Sequence, residues 1–427
     1  MKKLITIILT SLFLLFNISP AVKAQIKPPV VSADSAVLMD ATTGKILYEK
    51  NKNSAYPPAS TTKIMTTLLV LENSNLNDVV TVSKNAEMAD GSKIYLFDGE
   101  KVSVKELLYG LLLASANDCA IALAEHVSGS TEKFADLMNE RAKSLGCKNT
   151  NFVNPNGLYN VNHKTSAYDL ALMMQELTKH SEYTKIATTP SYTMAATNKS
   201  KEKRPLWNEN RLIHNGDKYY YQGCEGGKTG YTIQSKHSYV AVANRNGQKL
   251  IVTLVHDSEK TFFPDSRKLF DYGFDNFELS KYLNKDDAVS DLTLEDGTVL
   301  PLVASQDFYI VKAKNSTLTP TIKTEKKDLD LSSIKKGDVI TKAIITCGED
   351  SYNLDLSSGV DYTKKNSPLS NVFSKDASKN SKNSSLLLNI IKYLVLTSAL
   401  FLIYIRVKNI KKRKKSKRFL GNLNNKK

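Results

Sequence analysis

Hydrophobic spacing changes several times along the chain. SAVLMD and KILYEK, at 35–50, are β-rich runs on either side of Thr42-Thr43-Gly44, a pattern that predicts a hairpin. Pro57 and Pro58 then lead into a helical spacing from about Ser60 to Leu71. VSVKELLYGLLLASANDCAIALAEHV predicts two apolar helices broken around Ser115. TEKFADLMNERAKSLG carries Phe134, Leu137, Met138 and Leu145 at helical spacing, with Gly146 as the stop. TSAYDLALMMQELTKH opens on Ser166 and Asp169 in a capping arrangement. The period then shortens: GGKTGYTI, SYVAVAN and QKLIVTLVH are β-type runs, the last two joined by an Asn246-Gly247 turn. DSRKLFDYGFDNF closes the region as a helix. The expected fold is α+β, an antiparallel sheet with a helical block.

From 277 to 362, short β-type runs separated by turns predict a small all-β domain. Residues 363–385 are rich in Ser, Lys and Asn and read as a linker. The expected organisation is a signal peptide at 1–24, a catalytic domain at 25–276, the β-domain at 277–362, the linker, a transmembrane helix at 386–407 and a basic cytoplasmic tail at 408–427.

Charge supports that reading of the ends. The formal net charge is +16, yet residues 406–427 carry eleven Lys or Arg and no acids. Residues 1–24 add Lys2, Lys3 and Lys23 and no acids. The body is therefore near neutral, which argues against nucleic-acid binding. Basic residues, an apolar stretch from Leu4 to Phe16 and a Val-Lys-Ala end form a secretory signal with cleavage expected after Ala24. An uncleaved anchor is the alternative, but the apolar stretch is short for a hydrocarbon core of ~30 Å. Leu386 to Ile405 is apolar apart from Asn389, Lys392 and small hydroxyl residues, and RVKNIKKRKKSKR follows it. The positive-inside bias puts the tail in the cytoplasm and the body outside; an interfacial amphipathic helix is the alternative. Cys119, Cys147, Cys224 and Cys347 are too scattered for a disulfide scaffold or a zinc site, and Cys119 falls in an apolar helix pattern.

The candidate chemistry lies in three short motifs. Ser60 and Lys63 stand at i and i+3 on one helical face. A neutral lysine can take the proton of a serine hydroxyl, but only if its pKa falls by about 3 units, roughly 4 kcal/mol. The apolar run after Lys63 supplies desolvation, and the helix N-terminus adds positive potential. Alone the pair is weak; Ser-x-x-Lys recurs at Ser130/Lys133 and Ser200/Lys203, where a solvated face suffices. Ser115 and Asn117 form a Ser-x-Asn between apolar helices, although Ser115 could simply cap the second helix. Lys228, Thr229 and Gly230 head a β-run, where glycines permit close approach and the lysine and threonine could hold an anion. The three follow in order, 52 residues from Lys63 to Ser115 and 111 from Asn117 to Lys228.

Together with PPASTTKIMT, LLLASANDCAIALAE, FVNPNGL and GGKTGYT, this set resembles the penicillin-binding and serine β-lactamase superfamily. It is most similar to the low-molecular-mass serine D-alanyl-D-alanine carboxypeptidases. The resemblance covers about 30–275, and the β-domain and C-terminal attachment also fit. It implies a β-lactamase/transpeptidase-like fold and removal of the terminal D-Ala from peptidoglycan pentapeptide stems. Ser60 would be the nucleophile, Lys63 its base and Ser115 the relay to the leaving nitrogen. Asn117 would hold a substrate amide or orient Lys63. Lys228, Thr229 and Gly230 would line the carboxylate subsite, with the backbone N–H groups of Ser60 and Tyr231 as oxyanion hole. It further implies β-lactams as acylating inhibitors, no cofactor or metal, and a catalytic domain outside the membrane. A β-lactamase, a D,D-endopeptidase and a non-catalytic wall-binding protein are the alternatives. The sequence departs from the family pattern in IQSKHS, where Lys236 and His237 follow the Lys-Thr-Gly strand. His163 and His214 read as surface or loop groups, and His256 as packing at a strand end.

Overall fold

The computed structural model describes residues 27–325, 333–364, 389 and 391–408. The expected signal peptide, nearly all of the linker and the tail beyond 408 lie outside these residues. The chain divides into two units. The first is Met1–Val289 with Val303–Glu325 and Lys342–Leu356; the second is Ser290–Leu302 with Lys326–Thr341 and Ser357–Lys427.

In the first unit, the hairpin β1 (Ser35–Asp40) and β2 (Ile46–Lys50) is followed by a 3-10 turn at Ala59–Thr62 and by helix α1 (Lys63–Asn73). Next come β3 (Val79–Thr81), α2 (Lys84–Glu87), β4 (Lys101–Ser103), α3 (Val104–Leu113), α4 (Asn117–Ser128) and α5 (Thr131–Ser144). Helices α6 (Ala167–Leu177) and α7 (Ser181–Ala187) precede β5 (Ser191–Met194) and β6 (Arg204–Trp207). Then β7 (Cys224–Thr232), β8 (Lys236–Arg245) and β9 (Gln248–Asp257) lead into α8 (Phe262–Asn276). The central sheet is antiparallel, in the order β2-β1-β9-β8-β7, so the N-terminal hairpin is stitched to the later strands through Val37 opposite Thr253.

Both faces of this sheet are covered, which explains why its strands read as continuous apolar runs. Val37, Met39, Val240, Val242, Ile251 and Val255 point into one core, shared with α1, α3, α4 and α6. Their neighbours Ala36, Leu38, Tyr239, Ala241, Leu250 and Val252 point into the other, shared with Phe262, Leu269, Phe270 and Phe274 of α8. A phenylalanine fully buried in this way contributes roughly 1.5–3 kcal/mol. The punctuation is as the sequence implies. Asn246 and Gly247 both have positive φ at the β8–β9 turn. Ser166 Oγ accepts from Asp169 N–H at the start of α6. Ser130, one of the spare Ser-x-x-Lys serines, caps α5 by accepting from Lys133 N–H. Cys119, Cys147, Cys224 and Cys347 are free thiols, with Cys119 fully buried.

Every described element between 277 and 364 is a strand. Within the first unit, Phe277–Leu283 pairs with Phe308–Ala313, and Thr321–Thr324 pairs with 343–346, both antiparallel. In the second unit, Ser333–Ile334 pairs with Tyr362–Thr363, and residues 391–408 are helical. The expected transmembrane segment at 386–407 falls on this helix in part, its residues 386–388 and 390 lying outside the described residues, and a membrane span is not confirmed there. The helix includes Lys392, Arg406 and Lys408, and no helix among the described residues is long and apolar enough to cross a membrane.

Candidate active site

The expected helix start at Ser60 is a 3-10 turn, and the α-helix proper begins at Lys63. The tighter turn follows a strained residue: Ala59 has φ 51°, in the left-handed region that a β-carbon disfavours by about 1–2 kcal/mol. Strain of this kind persists only where surroundings enforce it. Here the FVNPNGL loop packs directly against Ala59. A β-carbon on Gly157, whose φ is +88°, would overlap the Ala59 carbonyl and lie 3.0 Å from Ser60 N. The same loop grips α1 from the side, since Thr66 Oγ1 donates to Pro155 O at 2.6 Å.

Lys63 is fully buried. Its Nζ lies 3.0 Å from Ser60 Oγ, 2.7 Å from Asn117 Oδ1 and 2.7 Å from the carbonyl of Asn156. Burial pushes the ammonium well below the ordinary lysine range, and the charge of Lys228 pushes the same way. Glu209 opposes both, followed by Cys119 and Asp118. Asn117 Oδ1 and the Asn156 carbonyl can accept the two N–H bonds of a neutral amine, which leaves its lone pair for the Ser60 hydroxyl, and burial favours that neutral form.

Ser115 and Asn117 sit where α3 gives way to α4. Ser115 has φ 56° and is buried. The capping alternative fails: the N-cap of α4 is Ala116, with no side-chain cap. Asn117 Nδ2 donates to Asp90 O at 2.6 Å, and its backbone N–H donates to Ser92 O, so the preceding loop fixes the amide that meets Lys63. Asp118, also buried, accepts from Ile94 N–H and Leu96 N–H and holds that loop in place.

Strand β7 runs beside the 3-10 turn. A β-carbon on Gly230 would lie 2.8 Å from Ser60 N and 2.9 Å from Pro58 O, so only glycine allows this approach. Lys228, 1% exposed, and Thr229 immediately precede this glycine on the strand. Burial lowers the pKa of Lys228, and Glu209 offsets part of that. Tyr231, after Gly230, is exposed and stacks on His237 at 4.4 Å between ring centroids, giving that departure from the family pattern a place on the strand edge.

Two participants are absent from the motif reading. The Asn156 carbonyl belongs to FVNPNGL, which carried the resemblance without naming an atom. Glu209 belongs to no motif: its Oε2 accepts from Thr229 Oγ1 at 2.9 Å and lies 3.5 Å from Lys228 Nζ. One histidine is also corrected. His163 is not a surface group; it is buried, with Nδ1 accepting from Val153 N–H and Nε2 2.8 Å from Thr62 Oγ1. Burial pushes its pKa down to about 4, so it braces the turn as a neutral ring. His214 lies in a loop, with Nε2 on Asn208 O, and His256 stacks on Tyr56 at its strand end.

Known proteins resemble this chain over most of its length. Residues 22–259 match the family model described as D-alanyl-D-alanine carboxypeptidase, and residues 277–362 match that of the penicillin-binding protein 5 C-terminal domain. The chain is 36% identical over 351 residues to D-alanyl-D-alanine carboxypeptidase DacF of Bacillus subtilis, covering 79% of this chain and 88% of the relative. It is 31% identical over 334 residues to DacA of Haemophilus influenzae, covering 75% and 82%. Among solved structures, penicillin-binding protein 5 of Haemophilus influenzae superposes with a TM-score of 0.67 at 31% identity, covering 80% of this chain and all of that one. On the extent of these matches, the chain belongs to the D-alanyl-D-alanine carboxypeptidase family, among the low-molecular-mass penicillin-binding proteins.

Proposed function

We propose that this protein is a serine-type D-alanyl-D-alanine carboxypeptidase that removes the terminal D-Ala from peptidoglycan pentapeptide stems. The observation that carries the reading is the buried Lys63 amine 3.0 Å from the Ser60 hydroxyl, beside a strand bearing Lys228 and Thr229. Neutral Lys63 takes the Ser60 proton as Oγ attacks the carbonyl of the penultimate D-Ala. The backbone N–H groups of Ser60 and Tyr231 receive the developing oxyanion, an effect of about 3–4 kcal/mol per donor in other enzymes. Lys63 returns the proton through Ser115 to the leaving nitrogen, D-Ala departs, and water later cleaves the acyl-enzyme. Lys228 and Thr229 hold the substrate's terminal carboxylate, and Asn117 orients Lys63.

β-Lactams would acylate the same serine. The test pairs two measurements on the wild-type protein. It should release D-Ala from a pentapeptide, and intact mass should show one penicilloyl adduct that persists after free drug is removed. Rapid loss of that adduct with penicillin turnover would make the protein a β-lactamase. Absence of both D-Ala release and an adduct would leave a non-catalytic wall-binding protein.

The domain boundaries at 25–276 and 277–362 form part of this proposal, supported by the spans of the two family matches. Export through residues 1–24 and an extracytoplasmic catalytic domain follow from the substrate. We infer further that 386–407 attaches the protein to a membrane, supported by the exposed apolar side chains Leu394, Val395, Leu400, Phe401 and Ile403. The full chain should sediment with membranes and a chain ending at 385 should remain in the supernatant. Equal partition of the two would reject the attachment.

A further inference from the structure

Glu209 stands where a substrate carboxylate is needed. Its Oε2 accepts from Thr229 Oγ1 at 2.9 Å and faces Lys228 Nζ at 3.5 Å. These are the two side chains assigned to the terminal carboxylate of D-Ala-D-Ala, and a glutamate head presents the same chemical group to them. The placement is built into the loop. On one side, the buried Asn208 donates to the carbonyls of Ala187 and Thr189. On the other, the buried Asn210 accepts from Tyr239 Oη at 2.6 Å and from Leu212 N–H. Between them, Glu209 N–H donates to Leu113 O. The backbone is pinned, while the Glu209 side chain remains 47% exposed and has a path into water.

We propose that Glu209 is an internal occupant of the carboxylate subsite and a specificity-determining residue, which a substrate's terminal carboxylate must displace to reach Lys228 and Thr229. The proposal rests on the carboxypeptidase reading. The glutamate balances a buried ammonium, whose isolation in a dry environment is strongly unfavourable. With substrate bound, two carboxylates at one lysine repel, so one of them leaves. The occupant therefore weakens binding of ligands that end in a carboxylate and is indifferent to those that end in a carboxamide.

The test compares wild type with Glu209→Gln, which keeps shape and an acceptor oxygen but loses the charge. The ligands are diacetyl-L-Lys-D-Ala-D-Ala and its C-terminal carboxamide. For the acid, Glu209→Gln should lower KM about fivefold, the size of one half-exposed charge interaction, with kcat within about twofold. For the carboxamide, measured as a Ki against fluorescent-penicillin labelling, the two proteins should agree. A rise in KM and Ki for both ligands would make Glu209 a mere support for Lys228 and overturn the proposal, as would no change with either. A wild-type protein that releases no D-Ala would overturn the carboxypeptidase reading and this proposal together. An active wild type with an indifferent Glu209→Gln variant would overturn this proposal alone.

Discussion

In a Lys63→Met variant, acylation of Ser60 by a fluorescent penicillin should slow by about 10³–10⁴-fold, toward the upper end of what a positioned general base contributes. Methionine fills the buried volume but its thioether sulfur is too weak a base to take the Ser60 proton that the Lys63 amine meets at 3.0 Å. It also leaves the Asn156 carbonyl and Asn117 Oδ1 without the donor they now meet, each at a cost of about 1–3 kcal/mol. Relief of an ammonium's burial offsets part of that cost, so the variant should fold, and Ser60→Ala supplies the fully unreactive reference. The pH profile carries the sharper signature. Only the neutral amine works as base, so the wild-type acylation rate should rise with pH through the folded pKa of Lys63. Burial places that limb well below the ordinary lysine value. At higher pH the rate should fall again as Lys228, also lowered by burial, loses the charge that holds the carboxylate. Lys63→Met should lose the rising limb and keep the falling one. Linkage gives stability the same sign: between the folded pKa of Lys63 and about 10.4, the unfolded chain binds a proton that the folded chain does not, so the residue's cost to folding shrinks as pH rises. An acylation rate within tenfold of wild type, or an unchanged rising limb, would remove Lys63 from the base position.

What could be read from the chain before its structure was known divides along physical lines. The strands β1, β8 and β9 were legible because a sheet covered on both faces needs unbroken apolar runs, and the Asn246-Gly247 turn because few residues adopt its positive φ. Ser60, Lys63, Asn117 and Lys228 were legible as motifs, and the amine of Lys63 meets Ser60 and Asn117 directly. Features made by the approach of distant backbone were not. The left-handed Ala59 lies against Gly157, almost a hundred residues away, so closely that a β-carbon there would overlap its carbonyl. Glu209 reaches Lys228 and Thr229 only because Asn208 and Asn210 anchor its loop, and nothing in WNEN announces that return. His163 looked like a loop residue by its polar neighbours, yet the loop folds the ring beneath Thr62. At 386–407 the apolar run is legible, but a membrane span is not confirmed among the described residues, whose helix at 391–408 takes in Lys392, Arg406 and Lys408.

That backbone pressure can be measured with one methyl group. Gly157→Ala should destabilise the protein by about 2–4 kcal/mol, since positive φ costs about 1 kcal/mol and overpacking against rigid backbone adds about 1–3. The obstacle is the Ala59 carbonyl, not the end of a flexible side chain, so the strain has to move the 3-10 turn itself. Ser60 N, 3.0 Å from the added carbon, and Ser60 Oγ, aligned on Lys63, would shift with it. A displacement of about 1 Å at a reacting group costs about 10²-fold, so acylation by penicillin should fall by that order even in the molecules that remain folded. Gly129→Ala separates the two contributions. Gly129 has a similar φ, +82°, at the end of α4, but a β-carbon there meets nothing within 4 Å. It should lose about 1 kcal/mol and acylate at the wild-type rate. Denaturation midpoints and labelling rates for both variants decide the matter. If the two behave alike, the loop at 154–158 does not hold the nucleophile in its strained turn, and the strain at Ala59 has some other source.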